Sequence, residues 1–474
     1  MNFIVICLDS LRRDHVGCYG NSWIRTPNLD KFGRENIIFD NMYPNGIPTL
    51  PFRRGVMQGR RVHPFRDRVP RHPRNYITLL GWHGLAEQYL TIQEVLQQNG
   101  YITGMITDVP HMFPPDVNFH IGFDSFEFIR GNECDRYRTG GTRRKDYANY
   151  IIDDIKGTIQ QRYLEQQLIA LDEARSEEDY FSARVFRAAE KWLERNARYY
   201  EKFYLYIDSF DPHEPWNPPY EYRRMYDKGY EGREIVLPQP ESAKNMTESE
   251  LKHMRAMYAG KVTMVDRWFG HFMEKFNHME LHEDTAVLVV SDHGHPLGEH
   301  GIVRKIPSAC RFNMLDAVML MSLPVGYGCH GKRIATMIHE YDFAPTLLSL
   351  AGVEKPDSMN GKDFSKVLTG EAETNRTYAA GGYGPFTYVR TTDYYYLLNL
   401  ANQKEKYLFD LKADPKNMNN IADSKPQLVA EMDLMVEKEL DGWTIPEQAG
   451  TSGYLREWKP AYRIRKKPWT SVYS

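Results

Sequence analysis

Cysteine is scarce in this chain: five among 474 residues (Cys7, Cys18, Cys134, Cys310, Cys329), odd in number and with no CxxC pair. That argues against a disulfide framework or a structural zinc site and fits a reducing compartment. Long apolar runs are missing too. Nothing approaches the ~20 residues needed to span a bilayer, so no membrane partner is expected. Nor is there an excess of positive charge, and the net charge of −3 argues against a nucleic-acid binder. Internal repeats and low-complexity tracts are absent. The N-terminus "MNFIVICLDSLRRD" lacks a basic start and a small-residue cleavage site, and its apolar run is only about six residues long. It reads as a buried strand rather than a leader, and the protein as cytoplasmic.

What is present is a globular composition, 42% hydrophobic and 26% charged, on a chain too long for one small core. "FIVICL" is continuously apolar and β-branched, as the middle of a parallel sheet covered on both faces requires. "TPNLDKFGREN" reads as a helix capped by Thr26 with Pro27 at its first position. "FRRGVMQG" after Pro51 reads as a helix start, followed by a Pro- and Arg-rich loop through Arg74. The pairs "TIQEVLQQNG" then "YITGMITD", "SARVFRAAEKWLERN" then "FYLYID", and "MYAGKVTMVDRWFGHFMEKF" then "TAVLVVSD" each give a helix leading into a strand. This alternation predicts an α/β fold with a doubly wound, mostly parallel central sheet flanked by helices, over residues 1–375. Short aromatic strands and the helix "PQLVAEMDLMVEKEL" predict a smaller α+β subdomain over 376–442. The tail 443–474, aromatic and carrying the basic run "YRIRKKPW", is expected to lie on its own domain or on a neighbouring subunit of a homo-oligomer.

In doubly wound sheets ligands sit beyond the carboxyl ends of the strands. The polar residues there are Asp9, Asp108, Asp208 with His213 close behind, and Asp292 with His293, drawn from four distant parts of the chain. "VLVVSDHGHPLGEHG" is the most specific stretch. A buried strand delivers Asp292 beside His293, a pair suited to a divalent cation such as Mn²⁺, Ca²⁺ or Zn²⁺. The glycines that follow let His300 turn toward the same cleft. Asp9 alone would read as a helix cap, but with Asp292 it reads as a ligand. "GIPTLPFRRGVMQGR" sets Thr49 ahead of two arginines, either as a nucleophile beside an anion site or as a turn residue.

"LDSLRRDHVGCYG", "TLPFRRGVMQGR", "DPHEPWNPP", "SDHGHPLGEHG" and "HEYDFAPTLLSLAGV" together resemble the sulfatase family of the alkaline phosphatase superfamily. The motifs occur in family order over nearly the whole chain, and "FDLKADPKNMNNIA" matches the family's C-terminal subdomain. The resemblance implies one divalent metal held by Asp9, Asp292, His293 and the nucleophile, and anion contacts from Arg53, His213 and Lys305. Laid on the family pattern, the nucleophile is Thr49, with Pro51, Arg53, Gly59 and Arg60 in register and Phe52 where Ser is usual. Ser10 stands where a second aspartate is usual. The usual lysine and histidine after "GY-x-T" are missing, and Asp108 and His111 occupy that region as substrate-binding candidates. Threonine cannot mature to formylglycine, because oxidation at its Cβ would give a ketone rather than an aldehyde. An intact threonine hydroxyl can still bind a metal, lose its proton more easily and attack phosphorus or sulfur in line.

Arg53, one helical turn beyond Thr49, is expected to aim its fork at the transferring group. Lipoteichoic acid synthases of the same superfamily are similar at these positions, as are phosphodiesterase and phosphonate monoester hydrolase sites, and that likeness pulls the substrate toward phosphorus esters. A two-metal site built from Asp208, Asp211 and His213 is the less favoured alternative, and Asp342 is expected to fix a turn rather than bind metal. The expected activity is metal-dependent hydrolysis of a small-molecule sulfate, phosphate or phosphonate ester: Thr49 attacks, Arg53 and Lys305 hold the anion, and His213 or His300 assists the leaving group. The rival reading is a non-catalytic sulfatase-fold protein binding an anionic ligand or partner.

Overall fold

In the computed structural model, residues 1–67, 79–114, 116–140, 147–150, 152–240, 242–328, 330–372 and 376–446 are described. The later part of the Pro- and Arg-rich loop, Cys329 and nearly all of the tail 443–474 lie outside the described residues, and with the tail goes the expected oligomer contact.

The apolar run after Met1 forms β1 (Asn2–Leu8), buried at every position. Its side chains alternate between two cores: Phe3, Val5 and Cys7 enter one, Ile4, Ile6 and Leu8 the other. The remaining strands are β2 (Ile37–Met42), β3 (Gly46–Ile47), β4 (Ile102–Thr107), β5 (Ser125–Phe128), β6 (Phe203–Ser209), β7 (Thr285–Ser291), β8 (Met319–Ser322), β9 (Lys332–Ile338), β10 (Ala379–Tyr383), β11 (Phe386–Arg390), β12 (Tyr394–Asn399) and β13 (Lys406–Asp410). Eight of them form the central sheet in the order β5-β4-β6-β1-β7-β8-β2-β9. Only β8 runs antiparallel to its neighbours, so the sheet is mostly parallel, as the helix-then-strand alternation predicts.

One core is covered by the helices Thr49–Gln58, Ile92–Gln98 and Phe343–Leu350, the other by Phe181–Asn196 and the long Glu248–His278. The helix Pro27–Glu35 has Pro27 in its first turn as expected, but Thr26 makes no cap bond; its hydroxyl accepts from Gly17 N and donates to Asp30 instead. Before Ile92–Gln98, Thr91 and Glu94 form a reciprocal capping box, and Gly100 at φ +84° turns the chain away after it.

The second, smaller sheet has the order β13-β12-β11-β10-β3. Its hairpin strands pack one face on the helix Pro426–Leu440 and the other into the main core. Its last strand comes from far upstream: Gly46 and Ile47 pair in parallel with Gly382 and Tyr383. The segment that delivers Thr49 is thus pinned between the two sheets.

Candidate active site

Neighbouring order in the sheet decides which strand ends meet. β4, β6, β1 and β7 are adjacent, so the residues closing them lie side by side. The pleat then sorts them by face. Cys7, Tyr206 and Val290 all point into the core beneath the helix Thr49–Gln58, and two residues further on Asp9, Asp208 and Asp292 share that side. On β4 the same side is taken by Met105, whereas Ile106 enters the opposite core, so Asp108 falls on the other parity.

Asp9, Asp292 and His293 offer one donor atom each within 4.8 Å of one another, all buried. Asp9 Oδ1 accepts from the Ser10 hydroxyl at 2.9 Å, while Asp9 Oδ2 has no hydrogen-bond partner. Asp292 Oδ1 accepts from the backbone N–H of Ser10 (2.9 Å) and of His293 (2.8 Å). His293 Nδ1 lies 2.8 Å from the carbonyl of Gly294, which leaves Nε2 as the lone-pair nitrogen, and that atom is buried without a partner. Burial pushes the His293 imidazole down to about 3, so it is neutral at pH 7. Ser10 takes φ +63°, and its side chain steers Asp9 where a second acidic ligand would otherwise stand.

Arg53 sits within this group and is fully buried. Nε and Nη2 fork onto Asp208 at 2.7 Å each, Nη1 donates to Asp292 Oδ2 (2.9 Å) and to the Thr49 carbonyl (3.0 Å), and Nη2 lies 3.1 Å from Asp9 Oδ2. Four hydrogen bonds go to Asp208, Asp292 and the Thr49 carbonyl, and the guanidinium also lies against Asp9, so the whole fork is turned toward carboxylates. The expectation that Arg53 aims its fork at the transferring group is corrected: its charge is taken up by carboxylates. Three carboxylates against one guanidinium leave this buried group two negative charges short of neutrality, which suits a divalent cation. Asp9 Oδ2, which accepts no hydrogen bond, and His293 Nε2, buried without a partner, fit the same requirement.

Thr49 is the first residue of its helix, after Pro48, so the helix begins earlier than the sequence suggests. Its Oγ1 is buried and has no hydrogen-bond partner. It lines a cavity of about 180 Å³ together with His213, Lys305, His111, Glu133, Glu214 and Trp82, among others. His213 is stacked on Phe210, with centroids 3.9 Å apart, and its Nδ1 meets the Glu214 carbonyl at 2.6 Å. That orients Nε2 toward the Lys305 ammonium, with which it is in direct contact. Burial holds His213 down to about 4, so it accepts a proton rather than carrying one. Lys261 fastens the loop through the carbonyls of His213 (2.9 Å) and Pro215 (3.2 Å) and through Asp211.

Two further expectations are corrected. Asp108 does not line the cavity; it is buried, accepts from Phe210 N (2.6 Å) and Asn132 Nδ2 (2.8 Å), and is pushed up to about 7 by burial. His300 is not among the lining residues either, and its Nδ1 meets Arg311 at 2.9 Å, because the loop turns through φ +54° at His300 itself. Asp208, Asp211 and His213 are engaged by Arg53, Lys261 and Lys305, so they do not gather as a second metal set. His111 does line the cavity, 3.0 Å from Glu133.

Sequence reasoning missed Glu133, Glu214, His295 and Arg304. Glu214 receives Arg304 Nε at 2.6 Å and lies 3.5 Å from His295. These last three adjoin residues already singled out, at His213, His293 and Lys305, and adjacency was the available signal. "RGNECD" around Glu133 carried none.

The sulfatase family model matches residues 1–353, and the model for the C-terminal part of N-sulphoglucosamine sulphohydrolase matches residues 298–442. An arylsulfatase of Clostridium perfringens is 26% identical over 93% of this chain and 94% of its own length. The N-acetylglucosamine-6-O-sulfatase of Bacteroides thetaiotaomicron is 26% identical over 89% of this chain and 82% of its own. Among solved structures, the phosphonate monoester hydrolase of Agrobacterium radiobacter superposes with a TM-score of 0.69 at 16% identity, covering 93% of this chain and 95% of that one. A structure in complex with D-glucosamine-2-N,6-O-disulfate superposes at 0.68 with 19% identity, covering 93% and 97%. With a family model spanning the central sheet and every strand end described above, this chain belongs to the sulfatase family of the alkaline phosphatase superfamily and is a sulfatase-like ester hydrolase.

Proposed function

We propose that the chain hydrolyses a sulfate, phosphate or phosphonate ester of a small alcohol through the Thr49 hydroxyl, without formylglycine. The observation that carries this reading is the buried Oγ1 of Thr49, unpartnered at the head of a helix and on the wall of a cavity that also holds Lys305 and His213. Asp9, Asp292, His293 and Thr49 would hold one divalent ion, Mn²⁺, Ca²⁺ or Zn²⁺. When bound, such an ion supplies Lewis acidity, easing deprotonation of a hydroxyl and drawing charge from an ester oxygen.

The chain's own groups divide the remaining work. Arg53 is a positioning residue that ties the Thr49 carbonyl to Asp292. Thr49 Oγ1 loses its proton to solvent and forms the new bond to sulfur or phosphorus as the alcohol oxygen leaves with the pair of the broken bond. Lys305 meets the anion and gives that oxygen its proton, and neutral His213 behind it holds the ammonium in place. The Thr49 ester has no second hydroxyl on Cβ through which to collapse, so water displaces it and returns the threonine hydroxyl. The sulfated-sugar relatives support a sulfate ester, whereas the phosphonate monoester hydrolase neighbour and the intact threonine support a phosphorus ester. The unpaired Cys7, Cys18, Cys134 and Cys310 support a reducing, cytoplasmic setting.

A panel of aryl sulfate, phosphate mono- and diester and phosphonate substrates, with each of the three cations, tests the proposal. Thr49→Ala should lose at least about a thousandfold in turnover, as removing a nucleophile does elsewhere. Thr49→Ser should retain activity. Undiminished turnover in Thr49→Ala removes the nucleophile, and silence on every ester with metal bound favours the non-catalytic anion binder.

A further inference from the structure

On another part of the cavity wall the structure gathers a second set of donors, from residues that no CxxC or His-x-x-His spacing would reveal. His111, Glu133 and Cys134 bring one ligand atom each within 4.8 Å of one another. His111 Nε2 lies 3.0 Å from Glu133 Oε2, and His111 Nδ1 lies 3.9 Å from Cys134 Sγ. Glu133 is buried, on a side chain only 7% exposed, and faces both the imidazole of His111 and the thiol of Cys134. We propose that His111, Glu133 and Cys134 form a zinc site separate from the Asp9, Asp292 and His293 group.

The donor set selects the ion. One thiolate, one imidazole and one carboxylate are borderline-soft ligands that suit Zn²⁺ and are poor for Ca²⁺ or Mg²⁺. Three protein ligands leave a fourth position for water or a substrate heteroatom, the pattern of zinc sites that do chemistry rather than hold a fold together. His111 and Glu133 line the cavity, so a ligand in that position would be the alcohol portion of a bound ester.

The ligands are held in place by the fold. The His111 ring lies edge-on to Trp82, with centroids 5.1 Å apart, and to Phe210 at 5.7 Å. The loop bearing Glu133 and Cys134 is fastened by Gly131 N to Asp135 (2.7 Å), Asn132 Nδ2 to Asp108 (2.8 Å) and Glu133 N to Gln167 (2.8 Å). This gives Asp108 a use: it anchors the loop rather than the substrate.

The test is metal stoichiometry on the full chain, stripped with chelator and reloaded with zinc. The wild type should hold two equivalents; Cys134→Ser and His111→Ala should each hold one, and so should Asp292→Asn by losing the other site. Loss of a direct ligand should weaken the second equivalent by more than the roughly 10- to 100-fold that an outer partner is worth. A second readout needs no variant to bind zinc: Co²⁺ loaded into the wild type should show a thiolate-to-cobalt charge-transfer band, and Cys134→Ser should abolish it. A zinc content that Cys134→Ser and His111→Ala both leave unchanged, no such band, or a band that survives Cys134→Ser overturns the proposal. None of these readouts depends on turnover, so the site stands or falls apart from the Thr49 mechanism.

Discussion

Asp208→Asn isolates the part of this site that the sequence motif misassigns. Asp208 accepts two charge-assisted bonds from Arg53, both 2.7 Å long and fully buried. In the variant the amide oxygen still accepts from one guanidinium N–H, but the NH₂ faces another donor and the charge of the carboxylate is gone, while Arg53 keeps Asp292 and the Thr49 carbonyl. Removing one partner from a buried pair costs about 3–5 kcal/mol, a large share of the roughly 5–15 kcal/mol that holds a folded chain together. With a urea slope of about 3 kcal/mol/M or more for a chain this long, the midpoint should fall by about 1 M. The buried group also goes from two net negative charges to one, so Mn²⁺ affinity, read by calorimetric titration, should weaken at least tenfold, roughly 1.4 kcal/mol. Arg53→Met with Asp208→Leu replaces the pair by apolar groups while leaving Asp9 and Asp292 in place. It should not recover the lost stability in the absence of a cation, because Asp9 and Asp292 lose their guanidinium, and the Thr49 carbonyl loses its tether as well. An Asp208→Asn protein within about 1 kcal/mol of wild type would refute Arg53 as the keystone of this group.

Lys305→Ala should lower kcat on a poor leaving group by at least about a hundredfold and far less on a nitrophenyl ester, whose oxygen needs no proton; equal losses on both would deny it the role of acid. Gly46→Ala places a Cβ 2.6 Å from Val62 Cγ1 and 3.0 Å from Pro51 Cβ, in the strand just before Thr49. It should destabilise by about 1–3 kcal/mol and depress turnover as well, and an unchanged melting midpoint would contradict the packing there. His63 is buried with its Nδ1 unpartnered, and burial, aided by Arg61, holds it down to about 3. The folded form stays neutral while the unfolded chain takes up a proton below about pH 6.5, so this residue costs stability as pH falls from 6.5 toward 3. His63→Leu should therefore gain on wild type by about 1.4 kcal/mol per pH unit between 6.5 and 4.5, and urea midpoints that shift in parallel would sink the assignment.

Much of the site was legible because strands and glycines are local signals. "FIVICL" and "TAVLVVSD" declare buried strands, and Asp9, Asp292 and His293 follow them directly, so their positions at strand ends could be read from order alone. The errors share a cause. Asp108 also closes a strand, but the pleat turns it to the other side, and a spacing of one residue decides that. Arg53 stands one turn beyond Thr49 as expected, yet nothing local says that Asp208, 155 positions away, will take its fork. His300 was placed by the flexibility of its glycines, and flexibility does not fix a direction.

The sequence by itself determined the family, the parallel sheet, the threonine in place of a maturable cysteine or serine, and the strands that carry the acid and imidazole groups. These follow from residue type, periodicity and order, all of which survive without knowledge of neighbours. Only the tertiary structure decided which charges meet: Arg53 among three carboxylates and Glu214 against Arg304. Electrostatic partners are chosen by proximity through space in a medium of low dielectric, and that proximity is a property of the folded sheet order rather than of any stretch of chain.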